Sequence, residues 1–168
     1  MVRVTNVVCM AHLKCEIDLK HLVSISRDVS YNPRKHNCLI WRHKKIGGCC
    51  MVSKQGRMMC NGAASSIPEA KKRVRRYARL IQKANYPVCL TKIQVVTISA
   101  VHTFSKSLDL RRLTREMEGQ YEPELFPALM FKRNGIHFNC FRTGKMVMTG
   151  IKNLEDVYPT IMEMELMF

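Results

Sequence analysis

"YEPELFPALMFK" (121–132) and "YNPRKHNCLIWR" (31–42) are one phrase written twice. Each opens with Tyr-x-Pro and closes on an apolar run capped by a cation, and the two stand 90 residues apart. Other blocks repeat at nearly the same offset. "QGRMMCNGA" (55–63) aligns with "TGKMVMTGI" (143–151), so that Gly56 and Gly62 meet Gly144 and Gly150. "VTNVV" (4–8) resembles "IQVVT" (93–97). A period this long exceeds any solenoid unit and implies a duplicated half-domain.

Each half reads alike. A β-branched strand leads into a short amphipathic helix ("DLKHLVSISR", "SLDLRRLTREM"), and alternating strands separated by glycine turns follow. Asn134-Gly135, between "ALMFKR" and "IHFNCF", predicts a type I′ hairpin. The first half closes with a helix over 71–84, whose stripe of Val74, Tyr77, Ala78, Ile81 and Ala84 leaves seven cations on the remaining surface. After Gly150 only "IKNLEDVYPTIMEMELMF" remains, and Pro159 would interrupt or restart any helix there. The expectation is an α+β protein, a mixture of α and β with pseudo-twofold symmetry. Antiparallel strands form one side and helices cover the other. Residues 1–90 make the first repeat and 91–168 the second, together one core domain.

The net charge of +15 is concentrated in the first half. Residues 1–90 hold 18 lysines and arginines against four acids, whereas residues 91–168 hold 10 against nine. Such a basic half points to a polyanionic partner. Eight cysteines, at 9, 15, 38, 49, 50, 60, 89 and 140, include no C-x-x-C pair, so reduced thiols are expected rather than a zinc site. No apolar run approaches a membrane span and no signal-peptide pattern opens the chain, so no membrane partner is expected. Nucleophile–base pairings, paired carboxylates and phosphate-cradling glycine loops are all missing, which argues against an enzyme, a small-molecule substrate or a cofactor.

"YEPELFPALMF", "TGKMVMTG", "CEIDLKHL", "YNPRK", "RRYARLIQKANYP" and "NLEDVYP" together resemble the core domain of the TATA-box-binding protein family, over nearly the whole chain from Val4 to Pro159. Departures at several positions mark it as a divergent, TATA-box-binding-protein-related member. The resemblance implies a pseudo-twofold saddle, in which a curved antiparallel sheet carries helices on its convex face and lays its concave face on the DNA minor groove. It also implies a nuclear role in transcription initiation.

Two aromatic wedges per repeat follow from the resemblance. The second repeat supplies them as Phe126 and Phe141, but the first has His36 and Ser53 at the matching places. Asn6, Val8, Val147 and Thr149 match the family's base-contacting set. Val95 stands where a second central asparagine is expected, Asn61 replaces a threonine and Asn139 an apolar residue. Lys35, Arg42, Arg57, Lys132, Lys145 and Lys152 fall where the family grips phosphates; singly each is an ordinary surface cation. Glu122, Glu124 and Leu125 occupy the loop where the family docks general transcription factor IIB. Lys71, Arg75, Arg76, Arg79 and Lys83 occupy the helix that meets factor IIA and acidic regulators.

Two functions are therefore weighed. The first is an initiation factor holding A·T-rich double-stranded DNA with weakened TATA selectivity and recruiting factors IIA and IIB. The alternative is an interaction protein that holds those factors without stable sequence-specific DNA contact. Blunted first-repeat wedges favour the alternative, and the retained aromatic pair with its phosphate cations favours the first.

Overall fold

A computed structural model describes all residues, 1–168. The chain divides into two compact units, Asn6–Val96 and Met1–Thr5 with Thr97–Phe168. The first takes strand β1 (Arg3–His12) from Asn6 onward, then helix α1 (Leu19–Ile25), β2 (Val29–Ser30), β3 (Cys38–Trp41), β4 (Cys49–Ser53) and β5 (Arg57–Asn61), closing with helix α2 (Ile67–Lys83). Pairing is antiparallel in the order β2-β3-β4-β5-β1. The strict alternation of buried and half-exposed residues in β4 and β5 puts Cys50, Val52, Met58 and Cys60 on one face, against α2. Cys50 faces Cys60, and Cys60 faces Cys9, so three thiols form a buried row across neighbouring strands. Burial pushes the Cys50 thiol well above its ordinary pKa.

Helix α2 begins four residues before the basic run that announces it. Ser66 caps it by accepting the Glu69 N–H at 3.3 Å, and Pro68 sits in the first turn, where its missing donor costs nothing. Of its apolar stripe Val74, Tyr77, Ala78 and Ile81 are buried, with Tyr77 fully enclosed, whereas Ala84 is the half-buried residue that caps the helix end. The Tyr77 hydroxyl donates to the Gly47 carbonyl at 3.2 Å and accepts the His43 N–H at 3.1 Å; burial pushes its pKa up to about 12. Trp41 packs edge-on against it with ring centroids 5.9 Å apart.

The second unit repeats this plan. β6 (Gln94–Thr103) precedes helix α3 (Leu110–Glu116), and β7 (Ala128–Arg133), β8 (Ile136–Phe141) and β9 (Lys145–Ile151) pair antiparallel in the order β6-β9-β8-β7. Asn134 and Gly135 both have positive φ, 49° and 81°, as the type I′ hairpin between β7 and β8 requires. Phe131 and Phe138, directly opposite across that hairpin, are both buried and stack 4.9 Å apart. A 3-10 turn (Leu154–Val157) and helix α4 (Tyr158–Leu166) finish the chain, with Pro159 starting the helix rather than breaking it.

Helix α4 has 9 residues where α2 has 17, a deficit of about two turns. It nevertheless caps the core, because Val157, Ile161 and Met164 are buried. Phe168 meets Phe104 edge-on at 5.6 Å. No helix is long and apolar enough to cross a membrane.

The duplication extends to individual hydrogen bonds. Leu13 N–H donates to Gly56 O and Ile17 N–H to Lys54 O, each at 2.8 Å; Phe104 N–H donates to Gly144 O and Leu108 N–H to Arg142 O, each at 2.9 Å. Gly56 and Gly144 have φ of 85° and 89°, and a Cβ on either would strike a carbonyl, that of Cys15 or of Lys106. Only glycine closes these turns.

Candidate nucleic-acid interface

The Tyr-x-Pro phrases fold identically although their words differ. Asn32 O accepts from Lys35 N–H at 3.0 Å and His36 N–H at 2.9 Å, while Glu122 O accepts from Leu125 N–H and Phe126 N–H, both at 2.9 Å. Each turn therefore points residue i+4 the same way, and that residue is His36 in one unit and Phe126 in the other. The glycine turns behave likewise. Ser53 O accepts from Gly56 N–H and Phe141 O from Gly144 N–H, both at 3.0 Å. Across the sheet Ser53 faces Cys38, and Phe141 faces Ala128.

Phe126 and Phe141 are brought together outside the core. Phe126 is 40% exposed and Phe141 half-buried, with ring centroids 6.0 Å apart in an edge-on pair. Neither joins the enclosed aromatics around Phe131 and Phe138. In the first unit the same place holds an exposed His36 and a half-buried Ser53, whose Oγ accepts the Arg57 N–H at 3.2 Å. The hydroxyl is turned back onto its own turn.

Strand alternation assembles the rest of this helix-free face. In the second unit the half-buried Val147 and Thr149 alternate with the buried Met146 and Met148 and stand opposite Asn139 and His137. Lys132 and Lys145 are exposed on β7 and β9, and Lys152 is exposed just past β9. Met130, 37% exposed, and the exposed His137 share the face and carried no signal in the sequence.

In the first unit Asn6, Val8 and Met10 alternate with the buried Val7, Cys9 and Ala11. Asn61 and the half-buried Val95 belong to the same unit. Asn6 Oδ1 accepts the Gly62 N–H at 3.0 Å, which fixes the orientation of the carboxamide and leaves its NH2 free to donate. Arg57 is exposed on β5, Arg42 just past the end of β3, and Lys35 on the turn. Half-exposed Cys49, Met51, Ile40 and Met59 complete the surface; these too were not singled out, because period-2 pattern alone does not say which of two faces meets a ligand.

Other residues lie elsewhere. Glu122 and Glu124 are exposed, and Leu125 is 80% exposed at the tip of its turn. Arg75, Arg76, Arg79 and Lys83 are exposed on α2, whereas Lys71 is half-buried. Arg73, outside that set, is tied down by Glu69 at 2.8 Å and by the Gly62 carbonyl.

This geometry has relatives. The family model described as "Transcription factor TFIID (or TATA-binding protein, TBP)" matches residues 1–84 and again 92–164. TATA box-binding protein-like 2 of Rattus norvegicus is 33% identical over 157 residues, covering 91% of this chain and 45% of that one. TATA-box-binding protein of Dictyostelium discoideum is 33% identical over 157 residues, covering 91% and 76%. The chain thus spans about half the length of the TATA box-binding protein-like 2 relatives it matches. Among solved structures, Methanococcus jannaschii TBP superposes with a TM-score of 0.88 over 97% of this chain and 95% of that one, at 24% identity. That likeness shows the fold.

Proposed function

The chain belongs to the TATA-binding protein family, and from that premise we propose that it binds promoter DNA with the helix-free face of each unit, as a transcription-initiation factor with relaxed TATA selectivity. The observation that carries the reading is the contrast at equivalent turns: an exposed Phe126–Phe141 pair in one unit, and His36 with Ser53 in the other. Minor-groove proteins, of which this family is itself a standard example, wedge apolar side chains into base steps and recover the unstacking cost through added contact. Phe126 and Phe141 suit that role. Base–aromatic stacking contributes ~1–3 kcal/mol per base, which a serine cannot supply. Bending by this chain is accordingly weaker at the first-unit end.

Asn6, with its NH2 free, donates to an A or T acceptor on the groove floor, while Val95 offers no donor. Val8, Val147 and Thr149 supply apolar contact. Lys35, Arg42, Arg57, Lys132, Lys145 and Lys152 hold phosphates and fix position without reading sequence. The acidic loop at Glu122, Glu124 and Leu125 receives factor IIB, and Arg75, Arg76, Arg79 and Lys83, with Lys71 behind them, receive factor IIA; the setting is nuclear.

The test is a mobility shift on A·T-rich and G·C-rich duplexes across salt, with and without factors IIA and IIB. The expected result is salt-sensitive retention, a modest A·T preference and further retardation by both factors. Capture of the factors with no duplex retained at low salt would replace this reading with the second one, an interaction protein without stable DNA contact, which the blunted His36 and Ser53 favour.

A further inference from the structure

Helix α4 of the second unit is apolar on two sides. Its inner side is spent on the core, through the buried Ile161 and Met164. Its outer side carries Tyr158, Met162 and Leu166, which are 48%, 62% and 88% exposed. Steps of four residues set the three one above the other on a single face, in a stripe about 12 Å long. A surface helix ordinarily turns charged and polar residues outward. Helix α2 does so: the exposed residues from 72 to 79 are Lys72, Arg75, Arg76 and Arg79. Helix α4 does not.

The charge of the molecule also reverses around this stripe. Residues 153–168 hold Glu155, Asp156, Glu163 and Glu165 and no lysine, arginine or histidine, in a chain of net charge +15. Glu163 is neutralised by Arg133. Glu165 meets only the His102 ring, which burial keeps uncharged at neutral pH. The exposed Glu155 and Asp156, on the turn leading into the helix, form no ion pair. The helix dipole favours acids at the start of α4, but it disfavours Glu165 at the end and does not call for exposed apolar residues between them.

These two observations together select the guest. Phosphate backbones, anionic lipid and acidic peptides are all repelled by the carboxylates. A second copy of α4 would bring the same acids against them. The exposed stripe needs apolar cover, and its straight, two-turn run of side chains suits the ridge of another helix.

We propose that the outer face of α4 docks a basic amphipathic helix of a partner protein. The apolar side of that helix covers Tyr158, Met162 and Leu166, and lysines or arginines along its flanks meet Glu155, Asp156 and Glu165. Met162, unbranched and flexible, adapts to the side chains laid against it. The site rests on α4 and the turn before it, and stands independently of the DNA reading.

The probe is a labelled amphipathic peptide of leucine and lysine, with leucines three and four residues apart, followed by anisotropy. One control has glutamate for lysine, and a second keeps the lysines but scrambles the apolar stripe. A chain of net charge +15 repels a basic peptide in bulk, so retention reports a local site. The expected result is saturable binding of the leucine–lysine peptide alone, weakened by salt. Met162→Gln with Leu166→Gln, both exposed, should weaken it about tenfold. Glu155→Gln with Asp156→Gln should weaken it severalfold and flatten its salt dependence.

Retention of duplex DNA by the Met162 and Leu166 variant should be unchanged, which separates failure here from failure of the DNA reading. The proposal is overturned if no peptide binds, if either control peptide binds equally well, or if both double variants bind like the parent chain. It is also overturned if sedimentation shows the free chain to be a dimer that the Met162 and Leu166 changes dissociate, since a second copy would then be the occupant. Thermal midpoints report whether the variants fold. Should the pair in the helix unfold, the Glu155 and Asp156 pair, which lies outside it, decides the matter.

Discussion

In the proposed DNA reading, four side chains at two pairs of equivalent turns set how hard the chain bends a duplex. The turns match in their backbone hydrogen bonds, so His36 and Ser53 differ from Phe126 and Phe141 in side-chain chemistry. Restoring rings there disturbs little: Ser53 lies outside the buried core and gives up only the bond its Oγ accepts from the exposed Arg57 N–H, and His36 is exposed. The double change His36→Phe with Ser53→Phe is expected to tighten retention of a TATA duplex by at least about fivefold, the low end of one stacking contact of ~1–3 kcal/mol. Bending should rise with it, read by energy transfer between labelled duplex ends. If bending stays as in the parent chain, these positions do not face the base steps. The reverse change, Phe141→Ala, should lower both quantities without unfolding the protein, because Phe141 is not among the fully buried side chains.

Two elements carry their own consequences. The turn ahead of β7 holds Glu122 and Glu124 with Leu125 at its tip, and none of the three supports the core. Glu122→Arg inverts one charge on that turn, and it is expected to abolish capture of factor IIB while leaving duplex retention intact; loss of both together would indicate misfolding. The second element is α4, which packs over His102 of β6. His102 is buried with both ring nitrogens unpartnered, its Nε2 standing 3.6 Å from Glu165 Oε1. Burial holds its pKa below the usual 6.5, against the pull of Glu165. The unfolded chain therefore takes up this proton first as pH falls, so stability is full above 6.5 and declines as pH drops toward the lower folded value. Thermal midpoints at about pH 7.5 and about pH 5 should differ in that direction, and His102→Phe should flatten the difference.

At the scale of the whole molecule the +15 charge and the duplication act together. Phosphate contacts release counterions, so each cation engaged on DNA steepens the salt dependence by ~0.9 in log–log slope. Arg57→Gln and Lys145→Gln, at equivalent ends of β5 and β9, are expected to flatten the slope by about that amount each and by about twice it together. A slope unchanged by both would remove these cations from the interface. The duplication itself was legible from the sequence: a phrase written twice, glycines at matching offsets, an Asn-Gly hairpin and a basic amphipathic helix. Local chemistry dictates these, since only glycine closes the turns at 56 and 144 and only an alternating strand buries one face. The start of α2 is written in the local Ser66–Glu69 cap, ahead of the basic run on which the expectation of a helix over 71–84 rests. What the sequence could not decide is what long-range packing decides. Pro159 as helix starter follows from the seat that Val157, Ile161 and Met164 find on the core. The fixed carboxamide of Asn6 depends on Gly62, 56 residues away. The seat of Tyr77 depends on Trp41, His43 and Gly47, 30 or more residues away. A residue's type and spacing set its chemistry, but whether that chemistry is spent inside the fold or left for a partner is settled by neighbours that arrive from far along the sequence.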